Sequence, residues 1–335
     1  MTLRLTQLIV ACTAIVGVCL PSSTAADQAR ATGRRSTQNH RAARTDPLPC
    51  GDYAAFQVLL DRQGFSPGQI DGEPGPNFTH ALAAFRSARN LADAHSPDCD
   101  TWRALDGEST EATTSYTITE QDVKGPFERN IPRDLVDQAK LPGLPYQSVV
   151  ELLSERFHAS PAILQRLNPS ATFAAGTTIK VPNVSPFDAG GKPATQAVAA
   201  DVEIQVTRDD SSLRVLRADG SVVFFAPVTT GSEHDPLPTG DYKVTAVSWY
   251  PEFHYNPDLF WDAKATDEKA TIKPGPNNPV GVTWISLSLE HYGIHGTPEP
   301  GNIGHTESHG CVRLTNWDAA HLVSLVKPGT RVLFR

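Results

Sequence analysis

Residues 202–230, "VEIQVTRDDSSLRVLRADGSVVFFAPVTT", decide the fold of the C-terminal part of this chain. "VEIQV" (202–206) and "SLRVLR" (212–217) alternate or run apolar in the two-residue period of strands, and "SVVFFAPVTT" (221–230) is a continuous apolar strand signal. Asp219-Gly220 supplies the left-handed turn that closes the second and third into a hairpin. Downstream, "PLPTGDYKVTAVSW" (236–249) and "VGVTWISLS" (280–288) keep the β pattern. A helix is expected only from near Asn316 to about Val326, before a last strand "RVLF" (331–334). The reading is an all-β, β-sandwich-like domain over 200–335 with one late helix.

Upstream the periodicity changes, and the chain reads as multidomain. In 50–107, "YAAFQVLLDRQ" (53–63) puts Phe56, Leu59 and Leu60 on one helical face, and "THALAAFRSA" (79–88) does so with Leu82 and Phe85. A Gly/Pro-rich loop, "GFSPGQIDGEPGP" (64–76), lies between them, and a third short helix is expected after Thr101. This small three-helix domain resembles the peptidoglycan-binding type 1 domain, with Arg86 where that family usually carries Gln. After a connector (108–145), "VVELLSERFHASPAILQRLNPS" (149–170) reads as two helices broken at Ser160-Pro161. "GTTIKVP" (176–182) follows as a strand. Together 146–184 form a small α+β module that resembles LysM, although "LPGLPYQS" (141–148) stands where the opening strand is expected. Both resemblances imply glycan as a partner, with a purely structural role as the other reading. "SPFDAGGKPATQA" within 185–199 is a linker.

Arg4, the apolar run Leu8–Leu20 and the small residues up to Ala26 read as a secretory signal (1–26), followed by a basic, disordered linker (27–49). The expected location is therefore periplasmic or cell-wall associated, with no stable membrane span after cleavage. Of five cysteines, Cys12 and Cys19 leave with the signal. Cys50 and Cys99 flank one compact segment and are expected to pair, which leaves Cys311 unpaired in an oxidising compartment. The formal charge of −8 excludes an ordinary nucleic-acid binder.

The chemistry-bearing residues crowd into "HYGIHGTPEPGNIGHTESHGCVRLTNWD" (291–318), which holds His291, His295, His305, His309 and Cys311. Three readings stand on the residues alone. One is a cysteine nucleophile, its thiolate held as an ion pair by a neighbouring imidazole, with Gly310 turning backbone amides toward an oxyanion. Another is a zinc site built from the histidines and Cys311, although an H-E-x-x-H spacing is absent. The last is a Gly-rich surface loop. Segment 253–279 has little periodicity and reads as a binding lid, with His254, Tyr255 and Trp261 as candidate substrate contacts.

"GIHGT" (293–297) followed by "SHGCVRL" (308–314), with "VTTG" (228–231) and "PLPTGDYKV" (236–244) upstream, resembles the L,D-transpeptidase (YkuD; ErfK/YbiS/YcfS/YnhG) catalytic domain. The resemblance implies Cys311 as nucleophile and His295 as general base oriented by the Gly296 carbonyl. His309 would shape the site and Ser308 support the loop, with Gly310 and Cys311 donating backbone N–H groups. Arg313 replaces the Asn of the commonest motif and would hold a substrate carboxylate or serve a structural ion pair; Tyr292 and Trp284 are candidates for the pocket wall. It implies no metal or other cofactor. The implied partners are peptidoglycan stem peptides and glycan, or a protein to be anchored to the wall.

Overall fold

The computed structural model describes residues 47–94, 96–197, 201–264, 266–306, 308 and 310–335. The expected signal peptide and most of the basic linker lie outside the described residues. Three helices open the described chain: α1 (Tyr53–Arg62), α2 (Pro76–Ala88) and α3 (Cys99–Ala104). The Asp52 carboxylate accepts the Ala55 N–H at 2.8 Å and so starts α1, while Pro76 sits in the first turn of α2, where its missing N–H costs nothing. Phe56, Leu59, Leu60, Phe78, Leu82 and Phe85 form one buried cluster between them. Cys50 and Cys99 are disulfide-bonded, which ties the start of α1 to the start of α3. Arg86 is buried: its Nη1 donates to Asp98 at 2.8 Å and its Nε to the Ala92 carbonyl at 2.8 Å. Arg86 thus braces the loop into α3.

The second module holds β1 (Thr113–Thr117), α4 (Glu120–Lys124), α5 (Leu135–Gln138), α6 (Val149–Arg156), α7 (Pro161–Leu167) and β2 (Thr178–Pro182). β1 pairs antiparallel with β2, Thr113 opposite Pro182 and Thr117 opposite Thr178. β1, "TTSYT", lies inside the stretch read as a connector. Its β-branched and aromatic residues favour a strand, but the intervening segment separates it from the helices it packs on. Ile118, Leu153, Phe157, Ile163, Ile179 and Val181 form the module's core, and Val58 and Ile70 of the first module complete it.

The remaining strands are β3 (Val202–Thr207), β4 (Ser212–Arg217), β5 (Val222–Pro227), β6 (Gly240–Trp249), β7 (Phe253–Tyr255), β8 (Ala270–Ile272), β9 (Thr283–Leu287), β10 (Gly293–His295) and β11 (Val312–Arg313). Helix α8 (Asn316–Leu325) and β12 (Arg331–Phe334) close the chain. Eight strands make one sheet in the order β11-β10-β9-β6-β12-β3-β4-β5, and β7 with β8 forms a separate hairpin. β6 joins the halves: Gly240–Lys243 pair with β12, and Val244–Trp249 pair with β9, with a register shift between Val244 and Ala246. Ile204, Val215 and Val332 from one half share a core with Ile285, Ile294 and Val312 from the other, and Leu322 and Val323 of α8 fill it. The expected sandwich-like layering thus takes the form of a single sheet folded over at β6. The first module meets the far edge of this sheet, where Ser66 donates its N–H to the Phe225 carbonyl at 2.9 Å and Phe225 donates to Gly64 at 2.9 Å.

Candidate active site

β10 lies between β9 and β11, and that placement assembles the site. His295 stands opposite Trp284 on one side and Arg313 on the other. Cross-strand neighbours share a face, so the Trp284 and His295 rings stack with centroids 5.2 Å apart and planes 15° from parallel. Gly293 is required two residues earlier, because a Cβ there would lie 2.4 Å from the Trp284 ring.

His295 is only 3 % exposed, and its Nδ1 donates to the Gly296 carbonyl at 2.7 Å. That bond places the proton of the neutral ring on Nδ1 and leaves Nε2 as the basic nitrogen. Burial pushes the imidazole down to about 3, and the Arg313 charge pushes the same way against the Gly296 carbonyl. Cys311 is the free cysteine of the described residues. Burial raises its thiol above the ordinary value, opposed by the Gly293 N–H and the Arg313 charge. Its Sγ lies 3.8 Å from the His291 carbonyl. Both shifts favour the neutral thiol and the neutral imidazole over the thiolate ion pair weighed from residue types.

The turn ahead of Cys311 is tightly specified. Ser308 is buried and its hydroxyl donates to the Cys311 carbonyl at 2.6 Å. Gly310 has φ +96°, and a Cβ there would meet the Tyr292 ring at 2.8 Å, so only glycine fits under that ring. Arg313 is fixed through its backbone, which exchanges hydrogen bonds with Thr229 at 2.9 and 3.1 Å, the "VTTG" segment of the sequence. Its Nε is buried with no hydrogen-bond partner among the described residues. His309 lies outside the described residues.

Cys311, His295, Arg313, Tyr292 and Trp284 line one cleft of about 1130 Å³. Its far wall is the β7–β8 hairpin with a 3₁₀ turn at Pro257–Leu259, packed on α5 of the second module through Leu135, Tyr255, Phe260 and Ile272. The segment read as a lid is thus a structured hairpin. Tyr255 is 5 % exposed with its hydroxyl on Asp267 at 2.9 Å; His254 faces Thr271 at 3.2 Å. Trp261 is exposed at the surface and stacked on His234 at 4.4 Å. Of the histidines weighed as metal ligands, His291 is exposed beside Glu290 and His305 is exposed. Among the described residues no three His, Cys, Asp or Glu side chains converge on a metal site.

Residue-level reading passed over Asn316 and Glu155. Asn316 Oδ1 accepts the Val282 N–H at 3.1 Å, and its Nδ2 reaches Glu155 of α6 at 3.0 and 3.1 Å and the Pro276 carbonyl at 3.1 Å. No local pattern announces a contact across 161 residues.

His295 at the end of β10 and Cys311 just ahead of β11 thus line one cleft of the folded-over sheet. The family description "L,D-transpeptidase catalytic domain", YkuD, matches residues 201–333. A putative L,D-transpeptidase YkuD of Bacillus licheniformis is 52 % identical over 186 residues, covering 55 % of this chain and 91 % of that protein. Its Bacillus subtilis counterpart is 29 % identical over 178 residues, 52 % of this chain and 87 % of that one. The chain belongs to the YkuD family of L,D-transpeptidases. A crystal structure of an Enterococcus faecium L,D-transpeptidase overlaps 40 % of this chain and 50 % of its own, at 18 % identity and a TM-score of 0.32. The assignment rests on the sequence relatives.

Proposed function

We propose that this chain is a peptidoglycan L,D-transpeptidase working outside the cytosol, with Cys311 as nucleophile and His295 as general base. The observation that carries the reading is the His295 Nδ1–Gly296 carbonyl bond, which leaves Nε2 as the basic nitrogen in the cleft that holds Cys311. As sulfur attacks the carbonyl of the third residue of a tetrapeptide stem, the thiol proton passes to Nε2. The S–C bond forms, the C–N bond to D-Ala breaks, and the proton leaves with the D-Ala amine. Backbone N–H groups of Gly310 and Cys311 serve the oxyanion, each such donor contributing about 3 kcal/mol. The Arg313 guanidinium, with a buried and unpartnered Nε, is suited to a stem carboxylate. The second stem then resolves the thioester through a side-chain amine, giving a 3→3 cross-link. An amine acceptor is favoured by the cleft itself, whose lining carries seven carboxylates against the three cations Arg133, Lys264 and Arg313 and so attracts an ammonium group.

The test is mass spectrometry of the mature protein with purified disaccharide-tetrapeptide, beside Cys311→Ala. A thioester adduct and a dimer lighter by one D-Ala are expected from the wild type and from no reaction of the variant. Monomeric tripeptide alone would assign water as the acceptor. No adduct and no D-Ala release would remove the enzymatic reading and leave a wall-binding protein.

A further inference from the structure

We infer that Glu155, carried by α6 of the second module, is a positioning residue of the thiol–imidazole site, acting through Asn316 on the Gly296 backbone that orients His295. The inference rests on the reading of His295 as base. It makes the LysM-like module a structural part of the catalytic centre rather than a tether to the wall.

The chain of contacts is continuous. Glu155 is 4 % exposed and Asn316 is fully buried. The Asn316 side-chain amide has two protons: one serves the Pro276 carbonyl, and the other is shared by the Glu155 oxygens at 3.0 and 3.1 Å. Those acceptors fix the amide orientation, because a flipped amide would present its oxygen to a carbonyl and a carboxyl group. With Nδ2 so held, Oδ1 faces the opposite way and accepts the Val282 N–H at 3.1 Å. There it packs on two glycines: a Cβ on Gly296 would lie 2.3 Å from Oδ1, and one on Gly281 2.1 Å from it. The Gly296 backbone is therefore clamped between Asn316 and the Gly281 backbone. Its carbonyl is the group that fixes the His295 tautomer.

Glu155 is itself held. The Tyr146 hydroxyl lies 3.1 Å from Oε2, and Glu151 one turn earlier on α6 and Tyr250 after β6 are the other titratable groups facing it. Burial and the Glu151 charge push its carboxyl up to about 8, while the hydrogen bonds from Asn316 and Tyr146 act against that shift. Both Glu155 oxygens accept from Asn316, and Oε2 also accepts the Tyr146 hydroxyl. Glutamine keeps an acceptor oxygen for the Asn316 amide; alanine removes it and leaves an amide proton buried without a partner.

The experiment reads the tautomer directly. In full-length protein labelled with ¹⁵N-histidine, the wild type should show His295 as one Nδ1–H tautomer with slowly exchanging proton. Glu155→Ala should give mixed tautomers or an exchange rate at least about tenfold faster, with kcat on disaccharide-tetrapeptide about tenfold lower and KM within about twofold. Glu155→Gln should restore all three readouts. Should Glu155→Ala not fold, Glu155→Met, which keeps volume but has no acceptor, carries the same expectations. A wild-type imidazole signal in the Ala or Met variant, or a Gln variant as damaged as Ala, would overturn the inference. Absence of wild-type turnover would count against the proposed reaction alone, because the imidazole signal needs no substrate.

Discussion

Burial acts on His295 and Cys311 in opposite directions, and that decides how the thiol can be activated. Each group pays for its charged form in a low-dielectric site, so the imidazole is pushed down to about 3 and the thiol is pushed up. Arg313 steadies a thiolate but opposes an imidazolium, so its two effects on an ion pair offset each other and burial decides. Proton transfer to Nε2 is then expected to accompany attack, not precede it. The alkylation rate of Cys311 by iodoacetamide should climb about tenfold per pH unit from 6 to 8 without a plateau, following the thiolate fraction. A plateau below pH 7 would mean that the ion pair exists at rest. His295→Gln should lower tetrapeptide turnover by about 10²- to 10⁴-fold, the range for loss of a general base. Retained turnover would move the base to another group.

At the scale of elements, the site depends on how closely β9 and β10 approach. Trp284 lies where a Cβ on residue 293 would be and forms the shelf on which His295 stacks. Gly293→Ala should therefore push the indole away and cost about 1–3 kcal/mol, the usual cost of overpacking, with lower kcat as the imidazole loses its shelf. Urea unfolding and turnover of the variant check this; unchanged values for both would show that the shelf is dispensable. Much of this region was legible because the alternation in 202–230 and 280–288 is local and the motif residues lie within 293–314. Arg313, Ser308 and Gly310 followed from the same stretch. What was not legible depends on distance along the chain. β1 pairs with β2 across the whole of 118–177, and "TTSYT" alone carries no sign of that partner. Glu155 reads in sequence as an ordinary polar helix position and gains its role only when α6 docks on α8. The hairpin β7–β8 escaped notice because its three-residue strands are too short to show a period.

For the whole molecule, the three modules meet through buried polar groups as well as apolar ones, and this gives stability a pH dependence. Ser66 of the first module donates to Asp318 of α8 at 3.0 Å, Glu155 of the second holds Asn316, and His158 pairs with Asp61 at 3.0 Å while stacking on Trp317. Asp318 is pushed up to about 7, first by burial and then by the Asp61 charge, and Glu155 to about 8. A carboxyl raised in the folded state keeps a proton that the unfolded chain has already released. Its contribution is complete below the unfolded value, 3.8 for Asp318 and 4.5 for Glu155, and is lost as pH rises through the folded one. Buried neutral His295 and His321 act in reverse, contributing above 6.5 and losing as pH falls. Each group changes stability by about 1.4 kcal/mol per pH unit within its window. Between pH 4.5 and 6.5 the acids and histidines oppose one another; above 6.5 only the acids' decline remains, ending near pH 7 for Asp318 and 8 for Glu155. The wild-type melting temperature should therefore fall between pH 6.5 and 8. Glu155→Gln and Asp318→Asn should each flatten that fall, raising the melting temperature relative to wild type at pH 8 and giving little advantage at pH 5. Calorimetric scans of the two variants at both pH values test the argument, and a fall as steep in both as in the wild type would mean that the seam's carboxyl groups are ionised in the folded protein.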